Sequence, residues 1–189
     1  MHPHADAIRR GERSDFMIDY PNQPEGYDRP PIDIVDRMSR YGTTHCGTLE
    51  LTQMIMTGVF DRFPDLKIYW AENEVGWIPI YVEQMDLIYQ ANRYWVERIL
   101  GVKQLKQRPS AYVRQHAYWG FFDDPVGMRL RHDVGVDHIL WGNDFPHEVS
   151  RSPHSREVID EQMGAAGVTP EEKRKMMCEN AIAFFQLDK

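Results

Sequence analysis

HILWGNDFPH, residues 138–147, sets the pattern by which the rest of the chain can be interpreted. Its first part is apolar and β-prone, and it is broken by Gly142-Asn143-Asp144 and closed by Pro146. A short apolar run that ends in such residues is typical of a buried strand that meets a loop. Parallel α/β proteins place their chemistry at such strand ends, where Asp144 can bind a metal ion or accept a proton. The alternative is that Asp144 only caps the loop through its own backbone, as in an Asx turn.

Two further apolar runs have strand character. Residues 66–71, LKIYWA, are rich in β-branched and aromatic side chains and are followed by Glu72 and Glu74. Residues 117–122, AYWGFF, are followed by Asp123. Acidic residues therefore follow several strands, and segments with helical periodicity lie between them. The order strand, helix, strand, helix favours a parallel α/β architecture.

The helices are predicted from apolar periodicity and from start and stop residues. They cover residues 48–63, 77–100, 110–115, 125–134 and 152–164. A last helix begins at Thr169, because Thr169-Pro170-Glu171-Glu172 combines an N-cap, a proline at N1 and a glutamate at N3.

Size, charge and cysteine content restrict the class of protein. The chain has 189 residues, enough for one domain but fewer than the ~250 residues typical of a complete (β/α)₈ barrel. A net charge of −7 argues against a nucleic-acid or anionic-membrane partner, and no run approaches the ~20 apolar residues of a membrane span. Two cysteines far apart in the sequence favour a reduced, cytoplasmic setting.

The N-terminus carries two histidines, His2 and His4, on either side of Pro3. On a strand, an HxH pair points both rings to one face, as metal ligands require. The proline weakens a regular strand, and histidines near a terminus are also commonly solvated, so both interpretations stay open. Residues 9–31 are polar and rich in turn residues, and they predict a long loop that folds over a pocket.

Four motifs resemble the C-terminal half of the amidohydrolase-related family, in the branch that includes aminocarboxymuconate-semialdehyde decarboxylase and the resorcylate decarboxylases. They are GVFDRFPDLKIYWAENEVGWIP, RPSAYVRQH, HILWGNDFPH and ENAIAFFQLD, in the order of the family. The resemblance implies an α/β, TIM-barrel-type (β/α)₈ metal-dependent hydrolase fold with only strands five to eight present. The whole chain, residues 1–189, is then one domain: residues 1–47 form a strand end and a long loop, and residues 48–189 form β/α units.

The resemblance also implies a metal site. A divalent metal, zinc or manganese, is expected at the C-terminal strand ends, with Asp144 as the eighth-strand ligand and His2 as the fifth-strand ligand. Glu72 stands where the family commonly has a catalytic histidine on the sixth strand, which resembles a subgroup with glutamate at this position. The HxH or ExH of the family's first strand has no counterpart in this chain.

The expected function is that of a metal-dependent hydrolase or non-oxidative decarboxylase for a small carboxylated or cyclic organic substrate. Asp144 and Glu72 are the candidate catalytic residues, and Trp77 and His147 are the candidate substrate-binding residues. A metal with imidazole and carboxylate ligands polarises a substrate oxygen, and a carboxyl group at Glu72 exchanges protons if burial raises its pKa. The competing roles are a salt-bridged loop acid for Glu72, core packing for Trp77 and loop packing for His147.

Two other functions remain as alternatives. With only His2 and Asp144 as metal ligands, the chain can be a catalytically inactive barrel fragment, because open catalytic zinc sites usually have three protein ligands. It can also be a small-molecule-binding remnant that uses the barrel interior. Half a barrel leaves two strand edges unpaired, which a homodimer or a separate N-terminal half would cover.

Overall fold

The computed structural model describes residues 47–147 and 150–188. His2, His4 and the loop of residues 9–31 lie outside the described residues, so their predicted roles stay predictions.

Three parallel strands form the sheet: β1 (Ile68–Trp70), β2 (Ala117–Phe121) and β3 (Ile139–Trp141), in the order β1-β2-β3. The predicted parallel α/β architecture is confirmed for this part of the chain. Strands β1 and β2 each end one residue earlier than predicted, at Trp70 and Phe121. Single backbone hydrogen bonds continue between the chains beyond the strand ends. The amide of Asn73 donates to the carbonyl oxygen of Gly120 at 3.0 Å, and the amide of Gly142 donates to the carbonyl oxygen of Phe121 at 2.9 Å.

The helices alternate with the strands. They are α1 (Thr48–Met56), α2 (Val59–Arg62), α3 (Ile78–Leu100), α4 (Pro109–His116), α5 (Pro125–Val134), α6 (Ser155–Ala165), α7 (Pro170–Arg174) and α8 (Asn180–Phe185). A 3₁₀ turn at Val136–His138 precedes β3, and a π-helical turn at Lys175–Glu179 joins α7 to α8. No helix in the described residues is long and apolar enough to cross a membrane.

Three helix boundaries differ from the sequence prediction. Residues 48–63 form two helices instead of one, because Gly58 adopts a left-handed conformation with φ 72°. Helix α4 begins at Pro109, and the Ser110 side chain bonds to Asp86 instead of capping it. Helix α6 begins at Ser155 and continues through Gly164, where a stop was predicted. The capping box at Thr169 is confirmed: its hydroxyl accepts from the Glu172 amide, and the Glu172 carboxylate accepts from the Thr169 amide.

The two faces of the sheet pack against different elements, because side chains alternate along each strand. One face packs against the helices in the main core; its residues are Ile68, Trp70, Ala117, Trp119, Phe121, Ile139 and Trp141. The second face consists of Tyr69, Tyr118, Gly120 and Leu140. Phe184 of α8 covers this second face, with its ring 4.8 Å from that of Tyr118 and 5.9 Å from that of Tyr69.

The C-terminal segment also covers the outer edge of β3. The buried side-chain amide of Asn180 donates to the carbonyl oxygens of Ile139 at 2.7 Å and Val136 at 2.8 Å. The backbone N–H and C=O groups of Leu140 and Gly142 point toward β2. Those of Ile139 therefore point the other way, toward the outer edge of the sheet. A side chain therefore satisfies a backbone acceptor that would otherwise be unpaired at this edge.

Asp124 holds the loops after β1 and β2 together. Its carboxylate is buried and accepts three backbone hydrogen bonds, from Val75 at 2.6 Å, Gly76 at 2.7 Å and Gly127 at 2.7 Å. The bond from Gly127 caps the N-terminus of α5, as an aspartate at the N-cap is expected to do. The same side chain thus fixes the loop that carries Glu72 relative to the end of β2.

Replacing Asp124 with alanine should therefore destabilise the fold strongly. Three amides would lose a charged acceptor in a buried setting, so we expect the free energy of unfolding to fall by about 3 kcal/mol. Urea denaturation followed by circular dichroism measures this change. Asp137→Ala, which removes an exposed ion pair with Lys175, should leave the midpoint nearly unchanged. Equal midpoints for the two variants would contradict the role of Asp124.

Candidate metal and proton site

Three predicted site residues lie together at the C-terminal ends of the strands. Ligand atoms of Glu72, Asp144 and His147 are all within 4.8 Å of one another. Glu72 follows β1, and the other two follow β3. Because parallel strands end at the same edge of a sheet, the topology itself brings these groups to one place.

The loop after β3 holds Asp144 in a fixed position. The side chain of Asn143 donates to the hydroxyl of Ser155 at 2.6 Å and accepts from the hydroxyl of Ser150. The Asp144 carboxylate, only 5% exposed, accepts a hydrogen bond from Nδ1 of His147 at 2.7 Å. This carboxylate also lies within 4.8 Å of a Glu72 oxygen atom, so it contacts a residue beyond its own loop.

The backbone at this edge adopts an uncommon conformation at three acidic residues. Glu72, Glu74 and Asp144 have φ values of 57°, 50° and 59°. The left-handed region costs a non-glycine residue roughly 1–2 kcal/mol, and such residues concentrate at functional sites. The strain turns the chain sharply at the strand ends, so that Glu72 and Asp144 point toward each other.

The electrostatics of the cluster favour bound protons. Partial withdrawal from water, followed by the hydrogen bond and the negative charge of Asp144, raises the pKa of the Glu72 carboxyl group above its ordinary value. The hydrogen bond and charge of Asp144 also raise the pKa of the His147 imidazole. Asp144 thus lies beside both groups and favours the protonated form of each, and the largely exposed His147 faces solvent.

The same donor set fits a divalent metal ion. Two carboxylates and one imidazole supply the oxygen and nitrogen ligands that zinc and manganese accept, and three protein ligands are usual for an open catalytic zinc site. His147 was predicted as a substrate-binding residue, whereas its place in the cluster makes it a candidate ligand as well. The predicted ligand His2 lies outside the described residues.

Trp77 packs in the core. Its ring lies 5.4 Å from that of Trp119, edge to face, and 5.3 Å from that of Tyr81. Its indole N–H donates to the carbonyl oxygen of Asn73 at 2.8 Å. The ring therefore supports the loop after β1, and contact between Trp77 and a substrate stays a prediction.

Glu74 forms a second acidic group beside the cluster, and its role was not predicted from the sequence. Its carboxyl group accepts long hydrogen bonds, 3.4 Å each, from the amides of Phe122 and Asp123. Burial and then the negative charge of Asp124 raise the pKa of Glu74 to about 7. The carboxyl group joins the loops after β1 and β2 at the same edge of the sheet.

Comparison with known proteins gives matches along nearly the whole chain. The family model described as Amidohydrolase matches residues 8–187. The solved structures include 5-carboxyvanillate decarboxylase from Sphingomonas paucimobilis, with 23% identity and a TM-score of 0.57 over 70% of this chain and 37% of that one. IDCase from Metarhizium anisopliae matches with 21% identity and a TM-score of 0.58, over 85% and 47% of the two chains.

A third structure contains a bound metal. Dihydroxybenzoic acid decarboxylase from Polaromonas sp. JS666 holds manganese and the inhibitor 2-nitroresorcinol, and it matches with 18% identity, a TM-score of 0.57 and coverage of 89% and 49%. This chain spans less than half the length of each of these three proteins. At these identities the structural likeness shows a shared fold, one that accommodates a three-stranded parallel sheet as part of a barrel.

The raised pKa of Glu74 predicts how stability depends on pH. The folded protein keeps this proton up to a pH of about 7, whereas an unfolded glutamate loses it near 4.5, so stability falls as pH rises between these values. Glu74→Gln removes this pH-dependent fall in stability, because the glutamine side chain stays neutral at every pH in this range. Its free energy of unfolding should exceed that of the wild type by about 2–3 kcal/mol at pH 8 and approach it at pH 4.

Urea denaturation across this pH range tests the expectation for Glu74. The matched control is Glu83→Gln, which neutralises an exposed glutamate on α3 and should give a difference that changes little with pH. A Glu74→Gln difference as flat as that of the control would contradict the raised pKa.

Proposed function

The chain belongs to the amidohydrolase family, and on that premise we propose that its Glu72–Asp144–His147 cluster serves a metal-dependent, non-oxidative decarboxylase of small aromatic carboxylates. The observation that carries the proposal is the convergence of these three groups within 4.8 Å at the C-terminal strand ends. The metal-dependent hydrolase of the same family is the alternative that the experiment below separates.

The metal, zinc or manganese, would be held by Glu72, Asp144 and His147. Manganese in the Polaromonas decarboxylase supports a divalent ion of this type. When bound, such an ion polarises a substrate oxygen and neutralises negative charge. Metal binding requires deprotonated ligands, so the protons on Glu72 and His147 must leave when all three groups bind the ion.

Proton transfer is the second part of the proposal. Loss of CO₂ breaks a carbon–carbon bond and leaves its electron pair on the ring carbon, which must then take a proton. Glu72 would donate that proton from its carboxyl group in a state in which Asp144 and His147 hold the ion, because one carboxyl group cannot bind the metal and carry the proton at once. Without the ion, Asp144 accepts a hydrogen bond from His147 and thereby orients the imidazole ring.

The three strands can be assigned to positions in the barrel of the family. We propose that β1, β2 and β3 correspond to strands six, seven and eight of a TIM-type barrel, and that His2 contributes from strand five. Glu72 then stands at the usual place of the sixth-strand histidine, and Asp144 at that of the eighth-strand aspartate. Both positions lie at the C-terminal ends of barrel strands, where barrel enzymes carry their active sites.

Metal binding by the isolated chain is the first test. Titration with Mn²⁺, followed by the electron paramagnetic resonance of the free ion, should give about one bound equivalent. Glu72→Gln and Asp144→Asn should each weaken binding by at least about tenfold, because each removes a charged oxygen ligand. Asp137→Asn removes an exposed carboxylate elsewhere and serves as the matched control. Equal binding by all four proteins would contradict the site.

Turnover is the second test. With Mn²⁺ present, release of CO₂ from hydroxybenzoates should be detectable, and Glu72→Gln should lower kcat by about 10²–10⁴-fold through loss of the acid. The Asp137→Asn control should keep the wild-type rate. Hydrolysis of esters or amides without CO₂ release would favour the hydrolase alternative, and loss of metal without loss of rate would contradict the mechanism.

A further inference from the structure

Tyr69 reaches toward the cluster from the second face of the sheet. A Cβ atom built on Gly120 would lie 2.4 Å from the Tyr69 hydroxyl oxygen and 3.1 Å from the amide nitrogen of Glu72. The hydroxyl group of Tyr69 and the backbone amide of Glu72 therefore both lie close to Gly120. The absence of a side chain at this position on β2 gives the Tyr69 hydroxyl group its room.

Aromatic packing fixes the ring of Tyr69, and no group in residues 47–147 or 150–188 forms a hydrogen bond with its hydroxyl oxygen. Phe184 and Phe185 of α8 pack against the ring at centroid distances of 5.9 and 5.7 Å. Two other tyrosines bond through their hydroxyl groups, Tyr81 to Thr52 at 2.8 Å and Tyr112 to Asp61 at 2.7 Å. Buried tyrosine hydroxyl groups usually form a hydrogen bond, so the Tyr69 hydroxyl group is suited to donate to a ligand oxygen at this end of the sheet.

A tyrosine hydroxyl group keeps its proton at neutral pH, because its ordinary pKa is about 10. At neutral pH the group is therefore a hydrogen-bond donor as well as an acceptor. An oxygen anion beside the cluster is the complementary partner, because hydrogen bonds to charged acceptors are the stronger class.

Tyr118 lies on the same face as Tyr69 but points toward the other end of the strands. The two residues are paired in the register of β1 and β2 and lie on the same face. The Tyr118 ring, however, lies 4.5 Å from the ring of His138 and 5.6 Å from Nζ of Lys67. Both of those residues precede strands, so Tyr118 leans toward the N-terminal ends while Tyr69 leans toward the C-terminal ends.

We propose that Tyr69 is a substrate-binding residue whose hydroxyl group donates a hydrogen bond to an anionic oxygen of an aromatic carboxylate bound at the Glu72–Asp144–His147 cluster. This inference rests on the proposed function, since it takes the substrate class from there. It adds a contact from the middle of β1 that favours oxygen-rich aromatic anions over neutral ring compounds.

The test compares Tyr69→Phe with Tyr118→Phe. Each variant removes one hydroxyl group from the same face and keeps the ring, so the packing against Phe184 is retained. The affinity for 2,6-dihydroxybenzoate is measured by calorimetry on the full chain with saturating Mn²⁺. Tyr69→Phe should raise Kd by about tenfold or more, and Tyr118→Phe should stay within about twofold of the wild type. In turnover, Tyr69→Phe should raise KM and change kcat little.

A second variant covers the case in which Tyr69→Phe disturbs the fold. Gly120→Ala keeps the Tyr69 side chain but puts a methyl group 2.4 Å from its hydroxyl oxygen, so the hydroxyl group must move and binding should weaken as in Tyr69→Phe. Wild-type affinity in Tyr69→Phe and Gly120→Ala would overturn the inference and leave the proposed function standing. A wild-type chain that binds Mn²⁺ but no 2,6-dihydroxybenzoate would overturn the proposed substrate class and, with it, the role of Tyr69.

Discussion

The candidate site depends on how closely the chain after β1 approaches the middle strand. Glu72 follows β1 and Asp144 follows β3, so their strands lie two positions apart, about 10 Å at the usual strand spacing. Glu72 must therefore reach past β2 to meet Asp144. Gly120 of β2 allows a close approach, because a Cβ atom there would lie 2.4 Å from the Tyr69 hydroxyl oxygen and 3.1 Å from the Glu72 amide nitrogen. The loop after β2 then turns away toward α5, held by Asp124.

Bringing like charges together on left-handed backbone costs stability, and neighbouring interactions offset that cost. Glu72, Glu74 and Asp144 all have positive φ values and lie close to other carboxylates. Against this, Asp124 accepts three short backbone bonds, and the side chain of Asn143 links the loop after β3 to α6. Strained acidic residues surrounded by well-bonded structural residues are typical of a site where function, not stability, selects the conformation.

Local sequence patterns predict the parts of this structure that local interactions determine. The apolar run that ends at Asp144 and the run that ends at Glu72 both form strands, and the capping box at Thr169 is present. The break at Gly58 was not predicted, because one glycine in a long apolar period can be either tolerated in a helix or used as a turn. The meeting of Glu72 with Asp144 depends on strand order, which periodicity does not specify.

Tyr69 illustrates the same limit at the level of a single side chain. Alternation along β1 places it on the face opposite Ile68 and Trp70, and the same rule places Tyr118 on that face. It does not give the direction in which either ring leans. That direction depends on packing from distant parts of the chain, namely Phe185 beside Tyr69 and His138 beside Tyr118.

The second face of the sheet therefore carries different groups at the N-terminal and C-terminal ends of its strands. At the N-terminal ends of the strands, His138, Lys67 and Asn180 occupy the space around Tyr118 and the edge of β3. At the C-terminal ends lie the Tyr69 hydroxyl group and the acidic cluster. Within the described residues, the groups that suit a polar ligand on this face are therefore gathered at the end where Glu72 lies.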